Sequence, residues 1–306
     1  MVQTSPQQPA APLPDQVGDY RVESLIGEGA AATVYRARRM DAPGAASSAV
    51  AAPAVALKVL KPDATKQPHI LACFQFEGRV LSRLDHPGIL RVYATGMDDE
   101  LLYTAMELID GVSLDNVLVA NKRLTVPQAI DIARQLAAAL GYLHGHGYVH
   151  RDIKPANLML TPDGRVVLFD FGTVVRIKDG APYEAGLYGT PAFLAPEQTV
   201  AGGKIDGRAD LYAAGIMLYM MATGRKPFYG SRSEVLEAHV RSSPPRPSKF
   251  ARIPPQLEAV ILKAIAKNPA ERFQSGEEFA DALVQVPLHA NTSLSDRLFG
   301  WLRPHG

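Results

Sequence analysis

The chain of 306 residues has only one cysteine, Cys73, and one tryptophan, Trp301. A single thiol excludes any disulfide framework within the chain and fits a reducing compartment. An excess of either charge is also missing. Lys and Arg total 32 against 31 Asp and Glu, for a formal net charge of +1. Charge alone therefore argues neither for nor against a nucleic-acid partner, and none is expected. There is no long hydrophobic run. The longest, LYAAGIMLYMMA at 211–222, falls short of the roughly 20 apolar residues that cross a bilayer, and predicts a buried core helix with no transmembrane segment. The opening stretch, MVQTSPQQPAAPLPD, lacks the basic and apolar regions of a secretory signal. These absences predict a soluble, cytoplasmic protein.

What is present is ordinary in bulk and specific in detail. Hydrophobic residues make up 47% and charged residues 21% of the chain, enough to bury cores in two compact lobes. Residues 1–18, rich in Pro, Gln and Ala, predict a disordered tail. From Tyr20, YRVESLIGEGAAATVYRARR predicts two strands about a glycine-containing turn, and AVALKVLK a third strand after the Ala/Ser/Pro-rich loop 41–53. HILACFQFEGRVLSRL has helical spacing, although Gly78 within it costs about 1 kcal/mol relative to Ala. GILRVYATG and ELLYTAMEL predict two more strands. Beyond Asp110 the pattern turns helical: a long helix over TVPQAIDIARQLAAALGYLHGHG, short strands at NLML and RVVLF, then helices near 208–223, 231–241, 255–267 and 276–285. Strands first and helices later predict an α+β fold.

Several short stretches carry chemistry. GEGAAATV, at 27–34, follows a strand and can cover phosphates with backbone N–H groups, Gly27, Glu28 and Gly29 approaching closest. Read alone it is also a plain hairpin, and Ala32 stands where a G-x-G-x-x-G loop has its third glycine. VALK puts Lys58 on an apolar strand, where an unpaired ammonium is costly. Glu77, in the following helix, is the natural partner, and the pair would aim Lys58 at the α- and β-phosphates. In HRDIKPAN, at 150–157, Asp152 can accept a proton from an attacking hydroxyl, Lys154 can neutralise the γ-phosphate, Asn157 can ligate a metal and Arg151 can hold an anion. Asp170 of DFG, at the end of an apolar strand, completes with Asn157 an oxygen site suited to Mg2+.

Together with APE at 195–197, these motifs resemble the protein-kinase signature. GTPAFLAPEQ and DLYAAGIMLYMMATGRKPF are similar to the bacterial members of the eukaryotic-like serine/threonine kinase family, over roughly residues 19–287. The resemblance implies a two-lobed protein-kinase fold, with a small β-rich N-lobe containing one helix (about 19–106), a hinge at about 107–110 and a large, mainly helical C-lobe (about 111–287). It implies a phosphotransferase using ATP and Mg2+, with Mn2+ as a substitute, acting on Ser/Thr-bearing proteins and on itself. Met106 would be the gatekeeper, with Glu107 and Leu108 as the hinge backbone that meets adenine. Ile26, Val34, Ala56 and Met159 would line the base. Glu197 and Arg272 would brace the large lobe, and Asp210 would tie the catalytic loop to a central helix. His150, Phe171, Leu81 and Val92 would stack as a spine. Lys154 and Thr190 fit Ser/Thr rather than Tyr specificity.

One departure stands out. Between Gly172 and Gly189 the only Ser or Thr is Thr173, where relatives carry a phosphorylatable residue mid-loop to pair with the arginine of HRD. Glu184 is the expected partial replacement, with one negative charge for Arg151; Tyr183 and Tyr188 have no claim over it. The segment 288–306 holds Leu298, Phe299, Trp301 and Leu302, an apolar cluster expected to pack on the large lobe. A regulatory partner or a homodimer is a further expectation. The competing readings are a pseudokinase that binds nucleotide without transferring phosphate, favoured only by Ala32 and the silent loop, and a small-molecule phosphotransferase, which generally lacks the APE segment.

Overall fold

A computed structural model describes residues 14–40, 52–177, 189–200 and 203–287. They form two compact units, one up to Ser82 with Arg91–Leu108, the other Arg83–Leu90 with the chain from Ile109.

The first unit is built on one antiparallel sheet. Its strands are β1 (Gln16–Val17), β2 (Tyr20–Glu28), β3 (Ala32–Arg39), β4 (Ala54–Leu60), β5 (Val92–Asp98) and β6 (Leu101–Glu107), in the order β1-β2-β3-β4-β6-β5. Two helices lie between β4 and β5: the single turn α1 (Pro62–Thr65), which sequence spacing did not indicate, and α2 (Pro68–Leu81). Period-two alternation along β4 sorts its side chains. Val55, Leu57 and Val59 pack with Val17, Tyr20, Ala37 and Ala105 on one face. Leu60 joins Ala32, Ala64 and Phe74 in a second cluster. The tail expected over 1–18 therefore runs too far: Gln16–Val17 pairs with Tyr20–Arg21, and Val17 is fully buried. Gly18, at φ +56°, makes the turn and donates its N–H to Asp98.

Gly78, disfavoured within α2 by propensity, has a packing reason. A Cβ there would lie 2.8 Å from Cγ2 of Thr95 on β5.

The second unit contains β7 (Val112–Ser113), α3 (Leu114–Asn121), α4 (Val126–Gly145), β8 (Tyr148–Val149), β9 (Leu158–Leu160), β10 (Val166–Leu168), β11 (Val175–Arg176), α5 (Gly207–Thr223), α6 (Arg232–Arg241), α7 (Pro255–Ala264) and α8 (Gly276–Val284). α4 opens on a capping arrangement in which Gln128 accepts from the N–H of Thr125. Its apolar stripe runs through Ile132, Leu136, Leu140 and Leu143. α5 holds the longest apolar run and is buried nearly all round, as a central core helix should be. It ends at Gly224, φ +76°. Among the described residues, no helix is long and apolar enough to cross a membrane.

Residues 83–90, placed in the N-lobe by sequence, belong to the second unit. Leu90 N–H donates to Leu168 O at 3.0 Å and Leu168 N–H to Gly88 O at 2.9 Å, so the segment runs beside β10. The Tyr142 hydroxyl of α4 accepts from Asp85 N–H at 3.1 Å. These backbone bonds also explain why the helix expected to reach Leu84 stops at Leu81.

Candidate active site

In the first unit, register places the candidate residues on one sheet face. Val34 lies opposite Lys58, and Ala56 opposite Met106; residues paired directly across strands share a face, as do Ala56 and Lys58, two apart. Lys58 Nζ donates to both oxygens of Glu77, at 2.9 and 2.7 Å, from β4 to α2. Their side chains are 22% and 11% exposed, enough burial to make each the other's necessary partner. Phe74, one helical turn before Glu77, places its ring 5.9 Å from Nζ. Gly27 and Glu28 end β2, and Gly29 N–H donates to Ala32 O at 2.8 Å, closing the glycine turn. A Cβ on Gly27 would meet nothing, so that backbone is open to approach. The Glu28 carboxylate is held by Lys61 at 2.6 Å, away from the strand it ends. Ile26 is half exposed. Ala32 is a core residue, which accounts for a side chain where the loop pattern has glycine. Glu107 N–H donates to Arg91 O, and Leu108 follows as the last residue of the unit.

The second unit gathers the rest. Asp210, on α5, is buried and accepts the N–H groups of His150 and Arg151, both at 2.8 Å, and His144 Nε2 at 2.9 Å. Burial pushes this carboxyl up, but the hydrogen bond and charge of His144 outweigh it and hold it below the usual carboxylate range. The backbone it grips is strained, with Arg151 at φ +71°, a region that costs a non-glycine residue about 1–3 kcal/mol. Asp152 follows directly. Its Oδ2 receives Lys154 Nζ at 2.5 Å; its Oδ1 receives both the N–H (2.9 Å) and the hydroxyl (3.0 Å) of Thr190.

The β9–β10 hairpin places Asn157 and Asp170 at the same end, each just outside its paired strands. Leu158 pairs with Leu168, and Phe169 N–H donates to Asn157 O at 3.0 Å. The Asn157 amide nitrogen donates to Asp152 O at 2.9 Å, which leaves Oδ1 as its acceptor. Asp170 is exposed and strained at φ +62°. One amide oxygen and one carboxylate are hard donors that fit Mg2+ or Mn2+, ions that keep several water and phosphate ligands. Met159 lies on β9, half-buried.

Arg151 is buried, and its Nε donates to Thr173 O at 2.6 Å, while the Thr173 hydroxyl donates to His150 O. β11 pairs with β8, fixing the start of the segment after DFG. Glu184, Tyr183, Tyr188 and the 288–306 cluster lie outside the described residues. Arg272, fully buried, pairs with Glu197 through both nitrogens, at 2.6 and 2.7 Å. His150 and Phe171 meet edge to face at 4.8 Å; burial pushes the His150 imidazole down, keeping it neutral. Leu81 and Val92 belong to the first unit, the former buried.

Two contributors were missed in the sequence. His144 supplies a third donor to Asp210, and Gln198 donates to Arg151 O at 3.1 Å from a buried position. Neither belongs to a motif that names its role; only Gln198's place beside Glu197 hints at it.

Comparison with known proteins agrees in extent with the site. The profile described as "Protein kinase domain" matches residues 20–287. The serine/threonine-protein kinase PkaA of Streptomyces coelicolor is 40% identical over 286 residues, covering 90% of this chain and 52% of that protein. The serine/threonine-protein kinase PknB of Mycolicibacterium smegmatis is 38% identical over 241 residues, 76% of this chain and 38% of the relative. The serine/threonine-protein kinase pkn3 of Myxococcus xanthus is 37% identical over 282 residues, 87% and 50% respectively. The chain thus spans about half the length of these relatives or less.

Proposed function

This chain belongs to the protein kinase domain family, and on that premise we propose that it is an ATP-dependent protein serine/threonine kinase, moving the γ-phosphate of Mg·ATP to Ser or Thr hydroxyls of proteins, itself included. One observation carries the reading: the Asp152 carboxylate accepts a threonine hydroxyl at 3.0 Å on one oxygen while Lys154 holds the other. A carboxylate that orients the Thr190 alcohol can orient a substrate alcohol in the same way.

The substrate oxygen forms a new O–P bond as the bond from the γ-phosphorus to the β–γ bridging oxygen breaks. That electron pair leaves on ADP, and the hydroxyl proton passes to Asp152. Lys154 Nζ, tethered to Asp152, meets the charge on the transferred group. Lys58, aligned by Glu77, holds the α- and β-phosphates, and the backbone of the turn Gly27–Glu28–Gly29 covers them. Val34, Ala56, Met106, Met159 and the backbone of Glu107 and Leu108 receive the adenine. Asn157 and Asp170 would hold Mg2+, which when bound would neutralise phosphate charge. Catalysis is then positioning and electrostatics. The pseudokinase alternative drew on Ala32 and on the silent loop; Ala32 has a packing explanation in the core, which leaves the loop as its one support. The single, exposed cysteine suits action in the reducing cytoplasm, in signalling.

The test is transfer of labelled γ-phosphate to peptides that differ only in carrying Thr, Ser or Tyr. Incorporation into the Thr and Ser peptides supports the reading; incorporation into Tyr alone, or into none with ATP bound, overturns it.

A further inference from the structure

Just beyond the C-terminal end of α5 lies a surface that the catalytic machinery does not use. Arg225 is exposed, and its guanidinium lies 4.2 Å from the ring of Phe250 and 5.5 Å from that of Tyr229. Stacking of this kind fixes a long side chain without neutralising it. Next to it, Lys226 lies over the ring of Phe193 at 5.9 Å. Neither cation has a carboxylate partner among the described residues. The loop before α4 abuts the same helix end: Leu124 N–H donates to Met221 O, and a Cβ on Gly224 would lie 3.3 Å from the Cβ of Arg123. Lys122 and Arg123 are exposed there, as are Lys249 and Arg252 on either side of Phe250. Two acids of the neighbourhood are already engaged: Glu258 by Ser248 N–H at 2.7 Å, with Arg246 at 3.9 Å, and Glu234, next to Gly230, by Ser231 N–H at 2.7 Å.

The helix end accounts for a cation or two, since its carbonyls attract positive charge. It does not account for five exposed cations and the half-buried Lys226 beside two exposed rings, with no acid paired to them among the described residues. In a chain whose net charge is +1, the concentration is local. A long polyanion would ask for a broader field. A short acidic segment, its carboxylates meeting a preset guanidinium and its apolar atoms meeting Tyr229 and Phe250, fits the charge and the rings together.

Its position relates it to the site already described. Phe193 closes the turn that begins at Thr190, and Thr190 bonds Asp152. Three residues of tight helix, the ring contact and the hydrogen bond put Lys226 on the order of 15 Å from Asp152, about four or five residues of extended chain. We infer that Arg225 and Lys226, with the basic residues around them, form a docking surface for an acidic segment of the protein substrate, four or more residues away from the acceptor hydroxyl. The inference rests on the kinase reading for its link to turnover, but not for binding.

The experiment uses two peptides with one Thr flanked on each side by four uncharged residues, ending on both sides in three Glu or in three Gln. Fluorescence anisotropy of the labelled peptides without ATP reads docking alone. Tighter binding of the Glu-ended peptide, weakened five- to tenfold by Arg225→Ala with Lys226→Ala and lost between 0.05 and 0.5 M salt, is expected, the scale of two exposed charge pairs. Phe250→Ala, which frees the guanidinium, should give part of that loss. In transfer assays the Glu-ended peptide should have the lower KM, and the double variant should erase the difference. Equal binding of the two peptides to the unmodified chain overturns the inference, as does preference for Glu that survives the double variant. So does association of the surface with anionic vesicles without discrimination between peptides. Absence of transfer with docking intact would count against the kinase reading alone.

Discussion

Removing either partner of the Glu197–Arg272 pair should destabilise the second unit, but not equally. Arg272 is fully buried and serves four groups: both oxygens of Glu197, and the carbonyls of Ala266 (2.8 Å), Lys267 (3.0 Å) and Arg208 (3.1 Å). Arg272→Met leaves a carboxylate that is only 12% exposed and takes a donor from the carbonyls of Ala266, Lys267 and Arg208, the last of which still lies in the helix ladder of α5. Breaking a buried pair in this way costs about 3–5 kcal/mol. Glu197→Gln is milder, because its amide oxygen still accepts one bond and the guanidinium keeps its three carbonyls; about 1.5–3 kcal/mol is expected. The two are coupled, so the double variant should cost less than the sum, by about 1–3 kcal/mol. Urea unfolding followed by circular dichroism, fitted for each variant, measures all three. Activity should fall with stability, because Glu197 shares its turn with Gln198, which holds Arg151 O. A cost below about 1 kcal/mol for Arg272→Met, or a larger cost for Glu197→Gln, would refute the reasoning from burial and donor count.

Three other outcomes are expected. Gly78→Ala should destabilise, even though helix propensity alone favours Ala by about 1 kcal/mol, because the new Cβ would lie 2.8 Å from Thr95 Cγ2; adding Thr95→Ser, which removes that methyl, should recover the loss, and a stabilised single variant in thermal melts would contradict this. His239, fully buried, is pushed down from 6.5 to about 4, first by burial and then by the charge of Lys267. The unfolded chain therefore binds the extra proton between those values. This contribution is complete above about pH 6.5 and lost as pH falls toward 4, up to about 3 kcal/mol. His239→Asn should flatten the slope of stability against pH in that window, although His150, shifted the same way, keeps part of it; an unchanged slope speaks against a neutral, buried His239. Glu184→Ala should lower the turnover of phosphatase-treated protein if that carboxylate supplies the loop's missing charge, and unchanged turnover would dismiss the idea.

What the sequence disclosed was chemistry fixed by short spacing. Asp152, Lys154 and Asn157 fall within six positions, and their mutual bonds are local, so the motif is nearly the geometry. Lys58 and Glu77 were legible because an ammonium on an apolar strand requires a partner. Contacts that depend on distant backbone were not. Nothing in RLDHPGIL announces that Arg83–Leu90 joins β10, since the bonds are made by main chain, which every residue carries. Val17 was lost in the composition of a Pro- and Ala-rich tail, although Gly18 before an apolar run was a turn signal. His144 escaped because its role is set by Asp210, 66 positions away. Ala32 was legible as a departure, but its reason, contact with Leu60 and Phe74, belongs to packing.

The most direct test of the central claim is to measure γ-phosphate transfer and ATP binding side by side for phosphatase-treated wild type and Asp152→Asn, with the acceptor located by peptide mapping. Asp152→Asn keeps the shape that receives Thr190 and Lys154 but cannot take up the hydroxyl proton. The account predicts transfer onto Ser or Thr by wild type, a loss of at least about a hundredfold in the variant, and ATP binding retained in both. Equal transfer by the two proteins, or none by wild type while ATP binds, would contradict it.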